Sequence, residues 1–291
     1  MKIYTILSPS HQFLFDQFFL QSLKKYEPRA ELVVIDQEQI CESGNYYAAG
    51  WKESMEQKID TYLKAVNSQD DFFIWSDVDI EFHDKFIDQC IHELGDRDIA
   101  FQEGIGGEYC AGFFICKINS NTRKFFEILK AKYQEYTCDQ NAINSNINLV
   151  NAKFLSHKFL NISFQHRQWN GQGFIINQPI TMFHANYTVG LQHKIMLLSK
   201  VREMIDTLKV KQLEATRRQN NIADIKIIYA FYGLCADVTE KIKTSTNEIM
   251  VSIDSLRSDP IPGAPKYLYC FDAQNTLITR PIKEGLTVRL K

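Results

Sequence analysis

The sequence predicts an α/β fold: a mostly parallel sheet with flanking helices, followed by a small C-terminal β-rich module. Three observations predict it. Short apolar runs alternate with stretches of helical periodicity over the first two hundred or so residues. Those runs place apolar residues on both faces, as in strands covered on both sides. From Ile222 onward, strand-like pieces are separated by Gly, Pro, Asn and Asp.

In order, KIYTIL opens the chain as a β-branched, apolar strand, and QFLFDQFFLQSLKKY follows as an apolar helical stretch. ELVVID is a second strand. ESMEQKIDTYLKAV places Met55, Ile59, Tyr62, Leu63 and Val66 at helical spacing. FFIWS is a third strand, HDKFIDQCIHEL a helix, DIAFQ a fourth strand, and YCAGFFICK another buried strand with Gly112 in its middle. Asn119 or Ser120 caps the helix TRKFFEILKAKYQEY, and CDQNAIN begins the next one. Residues 161–178 are rich in Gly, Asn and Gln and read as a loop. IMLLSKVREMIDTLKVKQLEATRRQNN is helical and runs into a basic, polar end. The implied division is an α/β domain over 1–200, a helical linker over 201–221 and a β-rich accessory module over 222–291.

Composition narrows the function classes. The 291 residues are 45% hydrophobic and 23% charged, ample for a core. The net charge of −2 creates no global field for nucleic acid. No apolar run reaches membrane-spanning length, and MKIYTILSPS is too short and polar for a secretory leader. The seven cysteines form no CxxC pair, as expected of reduced thiols in a cytoplasmic compartment. The expectation is a cytoplasmic protein with no nucleic-acid partner and no membrane span.

The run FFIWSDVDIEF carries the chemistry. Asp77 and Asp79 flank Val78 at the carboxyl end of a buried strand, where ligands bind in such sheets. Two carboxylates there repel each other unless a positive charge lies between them. A DxD triplet alone is weak evidence, because Asp96-Arg97-Asp98 is a second copy. That copy precedes a strand and carries its own arginine, as a solvated turn would. A hard divalent ion prefers oxygen ligands and binds through one or two carboxylates plus substrate phosphates.

Four blocks in order, WSDVDIEF, YCAGFFICK, CDQNAIN and FHANYTVGLQHK, resemble the retaining, DxD-containing glycosyltransferases of the GT-A type that use nucleoside-diphosphate sugars. The chain is most similar to the plant cell-wall xylosyl- and arabinosyltransferase group and more remotely to the glycogenin-like group. The resemblance covers residues 1 to about 200 and implies a Rossmann-like GT-A fold. It implies Mn²⁺ or Mg²⁺ held by Asp77, Asp79 and His184, with the imidazole favouring manganese. It further implies a donor, a UDP-sugar in the first instance, touching Thr5, Ser8, Lys58, Asp77, Val78, Gly112, Gly190 and Lys194. Asp139 and Gln140 match the family's Asp-Gln pair facing sugar and acceptor, with Glu103 in a similar place. Asp139 is then a positioning and charge-stabilising group, since attack from the front face within an ion pair needs no nucleophile. Cys110-Ala111 departs from the family's Asn-Ser/Thr, which leaves the donor sugar open.

His166 and Trp169 form either an acceptor-stacking edge or loop packing. The implied partners are a nucleoside-diphosphate sugar and a glycan or glycoprotein acceptor; no oligomeric state is implied. Two rival classes carry different signatures. A nucleotidyltransferase needs a Gly-rich, basic loop after the first strand, and SPSHQFLF is neither. A non-catalytic sugar-binding relative would lack a metal ligand or the Asp-Gln pair, and both are intact.

Overall fold

A computed structural model describes residues 1–45, 48–163, 169, 171, 174–176 and 178–217 and, beyond these, only the strands of the C-terminal region; side chains are described through Leu208. Two compact units result. The first holds Met1–Asn161 and Ile180–Leu198, and the second holds Trp169 and the C-terminal strands.

The first unit is built on six strands: β1 (Lys2–Leu7), β2 (Glu31–Asp36), β3 (Phe72–Ser76), β5 (Ile99–Glu103), β6 (Tyr109–Lys117) and β7 (Ala152–Phe154). Their order is β2-β1-β3-β6-β5-β7. All run parallel except β6, which is antiparallel to both neighbours. A second, three-stranded sheet joins β4 (Ile80–Phe82), β9 (Met182–His184) and β8 (Phe159–Asn161) in the order β4-β9-β8. The helices are α1 (Gln12–Leu14), α2 (Leu20–Tyr26), α3 (Trp51–Val66), α4 (Ile87–Leu94), α5 (Ser120–Lys132), α6 (Asp139–Asn146) and α7 (Leu191–Arg217). A five-residue π-helical turn, Phe15–Phe19, links α1 to α2 within the predicted helical stretch.

The central strands β3 and β6 have two buried faces. Along β3, Phe73 and Trp75 join one core with Tyr62 of α3 and Phe125 and Phe126 of α5, while Ile74 joins the opposite core with Phe82, Phe86 and Phe159. Strand β6 divides the same way, Phe114 and Cys116 to one side and Phe113 and Ile115 to the other. Side chains alternate across a strand, so a run apolar at every position fits only a sheet covered on both sides.

Asn119 is the cap of α5. Its side chain accepts from the Asn121 and Thr122 amides at 2.9 and 3.0 Å, and Thr122 Oγ1 accepts from the Asn119 amide at 3.0 Å, a reciprocal capping box. The second DxD copy is only half the solvated turn that was expected. The Asp96 side chain is 90% exposed beside Arg97. Asp98 is buried instead, where it accepts from Asn119 Nδ2 at 2.7 Å and the Asn151 amide at 2.9 Å. It ties the start of α5 to Asn151, the residue just before β7.

In the C-terminal region, β10 (Lys226–Phe231), β11 (Leu234–Asp237), β13 (Tyr267–Phe271) and β14 (Ile282–Lys283) form an antiparallel sheet ordered β11-β10-β13-β14, and β12 (Glu248–Met250) pairs with β15 (Thr287–Arg289). The run TLITR lies outside the described residues. Helix α7 passes without a break through residue 200, where the sequence suggested a linker begins.

The two aspartates of the second copy should separate in a urea unfolding experiment. We expect Asp98→Ala to cost about 2–3 kcal/mol by stranding buried donors, and Asp96→Ala to change stability by no more than about 0.5 kcal/mol.

Candidate functional site

The strand ends meet in a cavity of about 380 Å³. Strand β3 stops at Ser76, and the Asp77 amide continues its pairing to the Gly112 carbonyl of β6 at 2.8 Å. Asp79 is delivered to His184 by backbone pairing: Ile80 of β4 lies opposite His184 of β9, and the Ala185 amide donates to the Asp79 carbonyl at 3.0 Å. One ligand atom each from Asp77, Asp79 and His184 lie within 4.8 Å of one another. Residues more than a hundred positions apart thus form one cluster of two carboxylates and an imidazole.

Gly112 makes room for that cluster. A Cβ there would lie 2.1 Å from His184 Cε1 and 2.8 Å from an Asp77 carboxylate oxygen. This glycine therefore makes room for the imidazole and carboxylate packed against it, and it also lines the cavity. Gly190 has another reason. It adopts φ +97°, left-handed backbone that other residues rarely take, and its carbonyl accepts from the Lys194 amide at the start of α7.

Two lysines balance the carboxylates, although neither is near them in sequence. Lys58, buried on the inner face of α3, lies 2.8 Å from Asp77 Oδ1 and 2.9 Å from Asp139 Oδ2, with the Trp75 ring 5.4 Å away. The sequence resemblance put Lys58 on phosphates; in the structure its ammonium bridges two carboxylates. Burial opposes its charge, but Asp139 and Asp77 outweigh burial and hold it well above its ordinary value. Lys194 Nζ pairs with Asp79 Oδ2 and donates to the Ala185 carbonyl at 3.1 Å. His184 Nε2 lies 3.2 Å from Asp79 Oδ1.

The two aspartates are consequently unlike. Burial, reinforced by the Asp79 charge, pushes Asp77 up in spite of Lys58. Asp79 resists burial because Lys194 and His184 both face it, and it is held well below the usual carboxylate range. Burial would lower His184, but the Asp79 carboxylate overrides it and brings the imidazole up to about 9. Without a metal, a proton on His184 supplies part of the positive charge that the carboxylates require.

Asp139, at the first turn of α6, is 4% exposed; Tyr62 Oη lies 3.4 Å from its Oδ2 and donates to the Ala111 carbonyl at 3.0 Å. Gln140 lines the same cavity, and its Nε2 donates to Glu108 at 2.8 Å. Ser8, Val78, Gly190 and Lys194 line it as well. Two predicted residues stand apart. Thr5 is fully buried in β1 with its hydroxyl on the Ile6 carbonyl, and does not line the cavity. Glu103 also lies off the lining, where its carboxylate is 3.7 Å from His157 Nδ1. Trp169 belongs to the second unit, edge to face with Phe174 at 6.0 Å. His166 lies outside the described residues.

The sequence reading missed several participants. His11 lines the cavity beside Ser8, its Nδ1 2.9 Å from Ser10 Oγ; burial and then the Lys194 charge keep it below its ordinary value. Glu108 and Tyr187 also line the cavity. Gln102, in the middle of β5, contacts His184 Nδ1 at 2.7 Å. A glutamine directly after the apolar run Ile99–Phe101 was the one visible signal among them.

Two outcomes follow from this geometry. Gly112→Ala should displace His184 and weaken Mn²⁺ binding at least about tenfold, as read by metal titration. Metal-free protein should lose a part of its stability as the pH rises. The folded pKa of His184, about 9, is raised over its unfolded value of 6.5, so its contribution is complete below pH 6.5 and fades through pH 9. Mn²⁺ affinity should climb over the same window, since the metal displaces that proton. Unfolding and metal titrations from pH 6 to 10 check both, and His184→Gln should flatten both profiles.

No curated protein sequence matches the chain. Among solved structures it is similar to the galactosyltransferase LgtC in complex with donor and acceptor sugar analogues, at 14% identity over 71% of this chain and 96% of that one, with a TM-score of 0.44. It is also similar to the apo form of the glycosyltransferase GlyE of Streptococcus pneumoniae TIGR4, at 12% identity over 72% and 63%, with a TM-score of 0.44. A third likeness is to the bifunctional glycosyltransferase WbbM, at 10% identity over 68% and 49%, with a TM-score of 0.45. Residues 14–198, well over half of the chain, match the nucleotide-diphospho-sugar transferase family. The chain belongs to that family and is a glycosyltransferase.

Proposed function

We propose that this glycosyltransferase is metal-dependent and retaining, and moves a hexose, pentose or deoxyhexose from a UDP-sugar to a hydroxyl of a glycan or glycoprotein. The observation that carries the proposal is the convergence of Asp77, Asp79 and His184 around Gly112, at the strand ends and inside the cavity. The donor set fits a divalent ion. Carboxylate oxygens suit Mn²⁺ and Mg²⁺ alike, and the imidazole favours Mn²⁺. When bound, such an ion neutralises charge on the departing nucleoside diphosphate.

The remaining roles belong to the chain's own residues. Lys194, less than fully buried and paired with Asp79, takes up a diphosphate oxygen in this reading. Lys58 has no such freedom and serves to hold Asp77 and Asp139 in register. Asp139 orients the sugar and stabilises positive charge developing at its anomeric carbon, with Gln140 and Glu108 presenting hydrogen-bonding groups beside it. Ser8 supports the nucleoside end, since Thr5 is turned into the core. Cys110 and Ala111 give the sugar pocket a less polar wall than the family pattern supplies, and they are where donor choice is made. Functionally the chain divides into the transferase over 1–200, a linker over 201–221 and an accessory module over 222–291 that grips the acceptor, pairs subunits or braces the transferase, with His166 and Trp169 as acceptor contacts. The reaction takes place in the cytoplasm.

Among the described residues no helix is long and apolar enough to cross a membrane.

Calorimetric titration of UDP and GDP, each with Mn²⁺ and with EDTA, tests the site. We expect UDP binding that requires Mn²⁺ and that Asp79→Ala weakens at least about 100-fold, on the order of 3 kcal/mol. Transfer from a panel of UDP-sugars, with product anomers assigned by NMR, then identifies the donor and its stereochemistry. Binding of neither nucleotide under any condition sinks the metal-diphosphate reading, and an inverted anomer sinks retention alone.

A further inference from the structure

His184 has two ring nitrogens, and only one faces Asp79. Nε2 lies 3.2 Å from Asp79 Oδ1. Nδ1 lies 2.7 Å from Gln102 Oε1, with Cys110 Sγ at 3.9 Å from the same nitrogen. Neither His184 nor Gln102 is exposed beyond 1%.

An amide side chain offers an acceptor at one end and a donor at the other, and the far end decides which faces the ring. Gln102 Nε2 lies 3.2 Å from the Phe159 carbonyl, an atom that can only accept. The amide oxygen is therefore the end turned to His184, and Nδ1 must carry the hydrogen. An imidazole with its hydrogen on Nδ1 keeps its lone pair on Nε2, the nitrogen aimed at the aspartates.

The fold places Gln102 for this task. It falls on the same face of β5 as Ala100, at a point where the β5–β6 register shifts between Phe101 and Glu103. Its anchor, Phe159, begins β8, which pairs in parallel with β9 so that Asn161 lies opposite His184. One small sheet thus holds both the histidine and the carbonyl that orients its partner. For packing alone, an aliphatic side chain would serve at a fully buried strand position without the desolvation cost of an amide.

We propose that Gln102 is a positioning residue for the metal site: it fixes the ring orientation and the nitrogen that His184 presents, and so sets divalent-cation affinity. This rests on the metal reading proposed above. Outer-shell partners of ligating histidines act in this way, and their loss lowers metal affinity about 10- to 100-fold.

The test is Mn²⁺ titration of the full chain, read by electron paramagnetic resonance of the free ion, without nucleotide and with UDP. Gln102→Met removes the acceptor at similar volume, and we expect affinity to fall about 10- to 100-fold. Gln102→Glu keeps an acceptor facing Nδ1 and should restore affinity to within a few-fold of wild type. In a His184→Ala background, Gln102→Met should cost nothing further, because its effect runs through the ring. Unchanged affinity in Gln102→Met, or an equal loss with and without His184, overturns the proposal. A second measurement needs no variant. Ring NMR of nitrogen-labelled histidine in Zn²⁺-loaded wild type should show the hydrogen on Nδ1, and finding Nδ1 bare overturns the proposal even if the Met variant does not fold. Wild type that holds no Mn²⁺ under either condition fails the metal reading itself, whereas normal wild-type affinity with an unaffected Gln102→Met removes only the role of Gln102.

Discussion

Three carboxylates, Asp79 and Asp139 buried and Asp77 half-buried, are gathered at the strand ends, and the surrounding structure pairs every one of them with a cation. Burying unpaired carboxylates is prohibitive, so each has a cation delivered from a different element. Lys58 comes from α3 and is shared by Asp77 and Asp139, Lys194 comes from α7, and His184 from β9. The contacts are mutual: Asp139 and Asp77 hold Lys58 charged despite its burial, and the lysines offset the cost of burying the carboxylates. Removing any one partner leaves an uncompensated charge, which ties the integrity of the site to the position of three separate elements.

This arrangement also explains why the core takes its form. Lys58 is steered inward because α3 packs Tyr62 against Trp75 at 4.6 Å and Phe114 at 5.3 Å, which fixes the helix face toward the strand ends. Trp75 itself contributes a hydrogen bond from its indole nitrogen to Asp77 at 3.0 Å. Aromatic packing and site geometry are therefore one construction. The small β4-β9-β8 sheet plays the corresponding part on the other side. Its register sets Asp79 beside His184 and supplies the carbonyl that orients Gln102.

Much of this was legible in the residues themselves. FFIW and FFIC, apolar at consecutive positions, announced strands covered on both faces, and Asp77 and Asp79 at the end of one announced a ligand edge. Asn119 was readable as a cap because its side chain competes for the first amides of a helix. Other features were illegible for definite reasons. Asp96 and Asp98 look alike in the chain, yet one is solvated and the other anchors a helix start, because the difference lies in Asn119 and Asn151, distant in sequence. Thr5 lies inside β1, fully buried, and Glu103 ends β5 just past a register shift, so neither side chain lines the cavity.

By itself the sequence determined the layered α/β plan, the location of the acidic pair and, through its motif order, the kinship with nucleotide-sugar transferases. Those are local properties: periodicity, composition and spacing along one strand or helix. Only the tertiary structure decided which cation serves which carboxylate, why Gly112 must be glycine, and which nitrogen of His184 faces the site. These depend on atoms brought within about 3 Å from residues tens to more than a hundred positions apart, and hydrogen bonds and ion pairs of that kind are set by geometry that spacing along a chain does not encode.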